Sequence, residues 1–129
     1  MEILSDGECI DLVRQVPVGR IAVTVGALPV IFPVNFAVVD SAVVFRTPEG
    51  TKLAAATNGV VVAFEVDSYA VDGRSGWSVM VQGVASEVTD PASLRAVNSA
   101  LLDAWALDGA ADHVVRIELH RVSGRRFTG

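Results

Sequence analysis

The apolar residues of this chain come in short valine-rich runs broken by turn residues, and that pattern constrains the fold more than any other feature. Valine branches at Cβ, which costs rotamer freedom in a helix and suits the pleated surface of a sheet. Runs at 19–25, 29–39, 42–46, 60–67, 76–88 and 113–120 predict six strands. Tight turns at Gly26-Ala27 and Asp40-Ser41 make the first three antiparallel. Pro33 lies inside the second run and has no N–H to donate, which predicts an edge strand or a bulge. Three helices are expected. Ser5 and Glu8 fit a capping box, with Ile10 and Val13 at helical spacing behind it and Pro17 stopping the helix near Gln15. A short helix over 51–57 is closed by Asn58-Gly59, and a third opens at Asp90-Pro91 and runs to about Trp105. Six strands with few helices predict a mainly β chain, one domain over residues 1–129, built as a six-stranded antiparallel split or closed barrel with flanking short helices. The long fifth strand is expected to bend and serve both halves.

Composition removes several function classes. Hydrophobic residues make up 51% and charged residues 19%, and the mean hydropathy is +0.47, so disorder is excluded. No apolar run approaches the roughly 18 residues of a membrane span. A net charge of -5 lacks the cation excess a general nucleic-acid binder needs. The single cysteine, Cys9, allows no internal disulfide and no cysteine-based zinc site, and it is expected in the core. Met1-Glu2-Ile3-Leu4 has neither a basic region nor an apolar stretch of the signal-peptide kind, which predicts a cytoplasmic protein. The apolar strand surface exceeds what one small barrel hides, which predicts a homodimer.

The segment from Phe45 to Lys52 carries the most chemistry. Arg46, Thr47, Thr51 and Lys52 gather two cations and two hydroxyls around Gly50, where a strand ends and a helix begins. Lys52 is the chain's sole lysine. Together with free backbone N–H groups, these residues suit a phosphate monoester. The alternative is that Thr51 is only a helix cap and Lys52 a solvated residue. Gly50-Thr51-Lys52 reverses the order of a Walker A loop. Pro29 and Pro33 leave part of a strand edge without donors, and the open backbone there suits the polar rim of a flat heterocycle. Trp77 opens a strand after a polar loop, either as a core plug or as an interface anchor. Glu118 and His120 share a strand face but His113 is out of phase, so no three-ligand metal face forms. No serine nucleophile elbow and no dinucleotide-binding glycine motif occurs, and no acid–base residue is assigned.

Four segments carry a resemblance: Val18-Gly19-Arg20-Ile21-Ala22, Pro29-Val30-Ile31-Phe32-Pro33-Val34-Asn35-Phe36, Phe45-Arg46-Thr47-Pro48-Glu49-Gly50-Thr51-Lys52-Leu53, and Gly76-Trp77-Ser78-Val79 leading to Gly83. Together they resemble the pyridoxamine 5′-phosphate oxidase-like, FMN-binding split-barrel family, in the short actinobacterial branch that is similar to nitroimidazole-resistance reductases. The resemblance implies a homodimer with FMN at the subunit interface. It implies that Arg46, Thr47, Gly50, Thr51 and Lys52 hold the phosphate, with Phe45 beside them. The flavin ring edge would lie along Val34, Asn35 and Phe36, and Trp77 and Ser78 of a second subunit would cover it. The oxidase proper has an arginine beside the lysine where this chain has Thr51, and its basic substrate-binding tail is only echoed by Gly124-Arg125-Arg126-Phe127, so pyridoxamine phosphate oxidation is not the expected reaction. The implied function is a flavin-dependent oxidoreductase acting on a small organic acceptor. The alternatives are a deazaflavin (F420) reductase on the same fold and a non-enzymatic flavin- or haem-binding protein, with His113 or His120 as the available imidazoles.

Overall fold

A computed structural model describes residues 1–48, 51–101 and 112–128, without the side chains of Lys52 and Asp112. In chain order the elements are β1 (Glu2–Ile3), α1 (Asp6–Val13), β2 (Val18–Val25), β3 (Leu28–Val39), β4 (Ala42–Pro48), α2 (Lys52–Ala56), β5 (Val60–Tyr69), β6 (Ser75–Glu87), α3 (Pro91–Ala100), β7 (Asp112–Glu118) and β8 (Arg121–Thr128). Every pairing is antiparallel. The order β6-β5-β2-β3-β4-β7, with β7 returning to β6, closes a six-stranded barrel.

Strand β6 closes the ring and also leaves it. Its first part, Ser75 to Gln82, pairs with β8, and its last part, Ala85 to Glu87, pairs with β7. The change of partner falls at Gly83, where a Cβ would run into the Glu118 carbonyl oxygen. The fifth sequence-predicted strand thus bends and serves both halves. The sixth does not run on to His120. It stops at Glu118, the His120 N–H turns back to the Glu118 carbonyl at 2.9 Å, and β8 starts at once, carrying β1 on its outer edge.

The barrel interior is filled by residues such as Ile21, Phe45, Phe64, Val81 and Ile117, all essentially buried. Phe36 meets Phe64 edge-on, with ring centroids 4.9 Å apart. The capping box of α1 forms as its residues predict: Glu8 N–H donates to Ser5 Oγ at 3.2 Å, and Ser5 N–H to Glu8 Oε1 at 3.0 Å. Cys9 is buried between α1 and β8, and that burial pushes its thiol pKa up, so it is an inert core residue. Leu53 of α2 joins the barrel core, while Val97 of α3 and Leu101, which caps that helix, pack on Val44 and Val114. Helix α3 ends at Ala100, and Trp105 lies outside the described residues. Among the described residues no helix is long and apolar enough to cross a membrane.

Candidate functional site

Strands β2 and β3 pair from Val18 with Asn35 to Val25 with Leu28. The N–H of Phe36 donates to the Pro17 carbonyl at 3.2 Å, which continues that ladder by one pair. Side groups of a ladder alternate with a period of two, so Asn35, Pro33 and Ile31 turn their backbone groups away from β2. Pro33 and Pro29 oppose Arg20 and Thr24, at positions where no donor is asked of them. Beyond β3 lies β4, but those two strands pair only from Val39 with Ala42 to Phe36 with Phe45. The next pair in register would be Asn35 with Arg46, and it does not form. Strand β3 goes on with β2, and β4 goes on with β7 as far as Pro48. The result is a fork. One arm offers the backbone N–H of Asn35, whose C=O still meets the Arg46 N–H as the last bond of the β3–β4 ladder, and the other arm begins at Arg46.

Alternation along β4 sends Arg46 and Thr47 to opposite faces. Arg46 faces α3, where its Nη2 donates to Asn98 Oδ1 at 2.6 Å. Thr47 is buried, and its hydroxyl lies 3.2 Å from that of Thr51. Thr51 Oγ donates to the Pro48 carbonyl at 2.9 Å and accepts from Ala54 N–H at 3.1 Å. Thr51 is therefore a working helix cap, and it also ties the end of β4 to α2. Lys52 is the first residue of that helix, and Gly50 lies outside the described residues. The side chains of Val34, Phe36 and Phe45 belong to the core, so their contribution to a site is backbone and shape.

Two clefts flank the fork. One, of about 450 Å³, runs between the end of α1, β3 and α3, past Gln15, Pro17, Phe36 and Ala100. The other, of about 490 Å³, lies under α2 and includes Thr51, Thr57, Asn58, Glu87 and His113. His113 Nδ1 sits 2.8 Å from Glu87 Oε1, a pair that appears in the fold only because β6 and β7 meet at their ends. His120 is exposed in the turn before β8.

Trp77 and Ser78 are not brought to the fork. Ser78 pairs with Asp67 of β5, and β5 and β2 stand between it and Asn35. Three strand spacings amount to about 14 Å. Trp77 is half-buried against the main core, in phase with Val79 and Val81. Asn98 was not legible in the sequence. It lies on the polar side of α3, and nothing in its neighbours marks it as the partner of Arg46.

The sequence pattern of the pyridoxamine 5′-phosphate oxidase family matches residues 5–126. The chain belongs to that family. The chain is also similar to several known proteins. A solved structure from Mycobacterium smegmatis, described as an FAD binding protein, is 44% identical, covers 99% of this chain and 99% of its own, and superposes with a TM-score of 0.88. An FAD-binding protein from Mesorhizobium loti is 27% identical over 98% of both chains, with a TM-score of 0.81. The Mycobacterium tuberculosis protein Rv0080 is 42% identical, over 96% of this chain and 84% of its own.

Proposed function

We propose that this protein binds the riboflavin 5′-phosphate unit shared by FMN and FAD in the β3–β4 fork, and works in the cytoplasm as a flavin-dependent oxidoreductase. The observation that carries this reading is the unmade pair between Asn35 and Arg46. It leaves the Asn35 backbone N–H aimed along an open edge, a donor that fits the polar rim of a flavin ring. Arg46 follows at once on the other arm, with Lys52 beyond it, and there the 5′-phosphate would lie; Thr47 and Thr51, bonded to each other on the opposite face of β4, shape the turn between them. A relative at 44% identity, described as an FAD binding protein, supports a flavin as the ligand.

The bound flavin supplies hydride or electron transfer to a small organic acceptor. The chain's own residues do the rest. Asn35 orients the ring edge through its backbone, and Arg46, held by Asn98, meets the phosphate with a planar two-donor face. The barrel core behind Phe36 and Phe45 keeps water from one side of the fork. A second copy completes the cleft: Trp77 is remote from its own fork, so the flavin it covers is the partner's.

An absorbance spectrum of the purified protein, taken before and after adding FMN or FAD, tests the reading. A two-band flavin spectrum that stays with the protein on a desalting column is expected. A single deazaflavin band or a sharp Soret band would replace this reading with F420 or haem.

A further inference from the structure

The cleft under α2 holds about 490 Å³, within the roughly 300–1,000 Å³ of small-molecule sites. Thr51, Ala54, Ala55 and Asn58 line it. Their spacing of three, one and three residues puts them on one side of the α2 segment, which forms one wall. The two alanines keep that wall flat. The other wall carries Glu87 and His113, from the ends of β6 and β7, with His113 Nδ1 2.8 Å from Glu87 Oε1. Strand register orders these groups along the cleft. His113 pairs with Thr47, whose hydroxyl lies 3.2 Å from that of Thr51. At the other end the Gly59 N–H donates to the Ala85 carbonyl at 2.7 Å, which brings Asn58 toward Glu87. The cleft thus runs from Thr51 past His113 and Glu87 to Asn58. Among the described residues no arginine or lysine lines it.

We propose that this cleft holds the adenosine half of FAD, so that the chain takes FAD in preference to FMN. The proposal rests on the flavin reading above. Lys52, the neighbour of Thr51, belongs to the 5′-phosphate site of that reading, so a dinucleotide that continues from the phosphate enters the cleft at its Thr51 end. FMN stops at the phosphate and has nothing to place there. The walls match the parts of a nucleoside. Glu87 only accepts hydrogen bonds, which suits the two ribose hydroxyls, and carboxylates do this work in other dinucleotide sites. The bond from His113 fixes the direction in which that carboxylate faces. Asn58 carries an amide that both donates and accepts, as an adenine edge requires. Ala54, Ala55 and Val115 supply the flat apolar bed a purine ring needs. A lining without arginine or lysine suits an uncharged nucleoside and leaves the diphosphate outside, with Arg46 and Lys52.

Calorimetric titration of the full chain, stripped of flavin, with FAD, FMN and AMP tests this. The wild type should bind FAD at least about tenfold more tightly than FMN, and should bind AMP by itself. Ala55→Phe fills the cleft from an exposed position, so FAD should fall to the affinity of FMN and AMP binding should vanish. Glu87→Ala should weaken FAD by about tenfold. FMN affinity should hold in both variants, and a cooperative melt confirms that each is folded. Equal affinity of the wild type for FAD and FMN overturns the proposal, as does a preference for FAD that survives both substitutions. The three probes separate it from the flavin reading. AMP binding that Ala55→Phe removes, with neither flavin bound, upholds the cleft and contradicts the fork. FMN binding with no preference for FAD and no AMP bound upholds the fork and overturns the cleft.

Discussion

Asn35 and Arg46 are neighbours in register at which the β3–β4 ladder stops half-made, and the two strands part beyond them. Strand β3 keeps its bond to β2 on one side of that point, and β4 keeps its bond to β7 on the other. If the flavin ring uses the backbone of Asn35, removing its N–H matters more than removing its side chain. Asn35→Pro should weaken FMN by about two- to tenfold, the value of one neutral hydrogen bond. Asn35→Ala should change it little. Circular dichroism on both variants confirms the fold, which an open edge lets proline keep.

The Arg46–Asn98 bond predicts a graded series. Arg46→Ala loses a charged donor and should cost about one to two decades in FMN affinity. Asn98→Ala leaves the guanidinium in place but unheld, so its loss should be smaller. Arg46→Lys should recover only part of the affinity, because an ammonium cannot grip two oxygens in a plane. Fluorescence titration ranks the three.

Trp77 and Arg46 are predicted to act on one flavin from two chains. Trp77→Ala and Arg46→Ala homodimers should each bind FMN weakly. Mixed dimers of the two variants contain one intact site and should bind again. Binding that does not return on mixing would put Trp77 in the core alone, where its packing against the main cluster already places its inner side.

Glu65 sets a pH dependence of stability. Burial, then the hydrogen bond and charge of Asp67, raise its folded pKa to about 7, above the ordinary glutamate value of 4.5. The folded state therefore holds the proton more tightly than the unfolded chain. The stability this adds is full below about pH 4.5 and is lost as the pH rises through about 7. Thermal melts should show a Tm that declines over that window, and Glu65→Gln should flatten the decline. Glu8 and Asp90, lowered by their capping bonds, act the other way: their stabilisation is lost in acid.

Gly83→Ala tests the barrel's closure. The new methyl meets the backbone of Glu118, which no rotamer change relieves. A loss of about 1–3 kcal/mol is expected in denaturant melts.

The strands were legible because valine runs and turn residues are local signals, and the observed ends of β2 to β6 fall within two residues of those signals. The capping box at Ser5 and Glu8 was legible for the same reason. Features that depend on which strands meet were not. Arg20, Glu65 and Asp67 become one cluster only through the β2–β5 register. Glu87 and His113 meet only because β6 returns to β7. The candidate phosphate segment was read correctly as strand, turn and helix, yet the sequence could not show that Arg46 and Thr47 leave β4 on opposite faces.

The central claim, a flavin held by its phosphate in the β3–β4 fork, is tested most directly by titrating FMN and riboflavin against the wild type, Arg46→Ala and Lys52→Ala. The wild type should bind FMN at least about tenfold more tightly than riboflavin. Each variant should lose that preference while holding riboflavin as before. Equal affinity of the wild type for both flavins, or equal losses for both in the variants, would contradict the account.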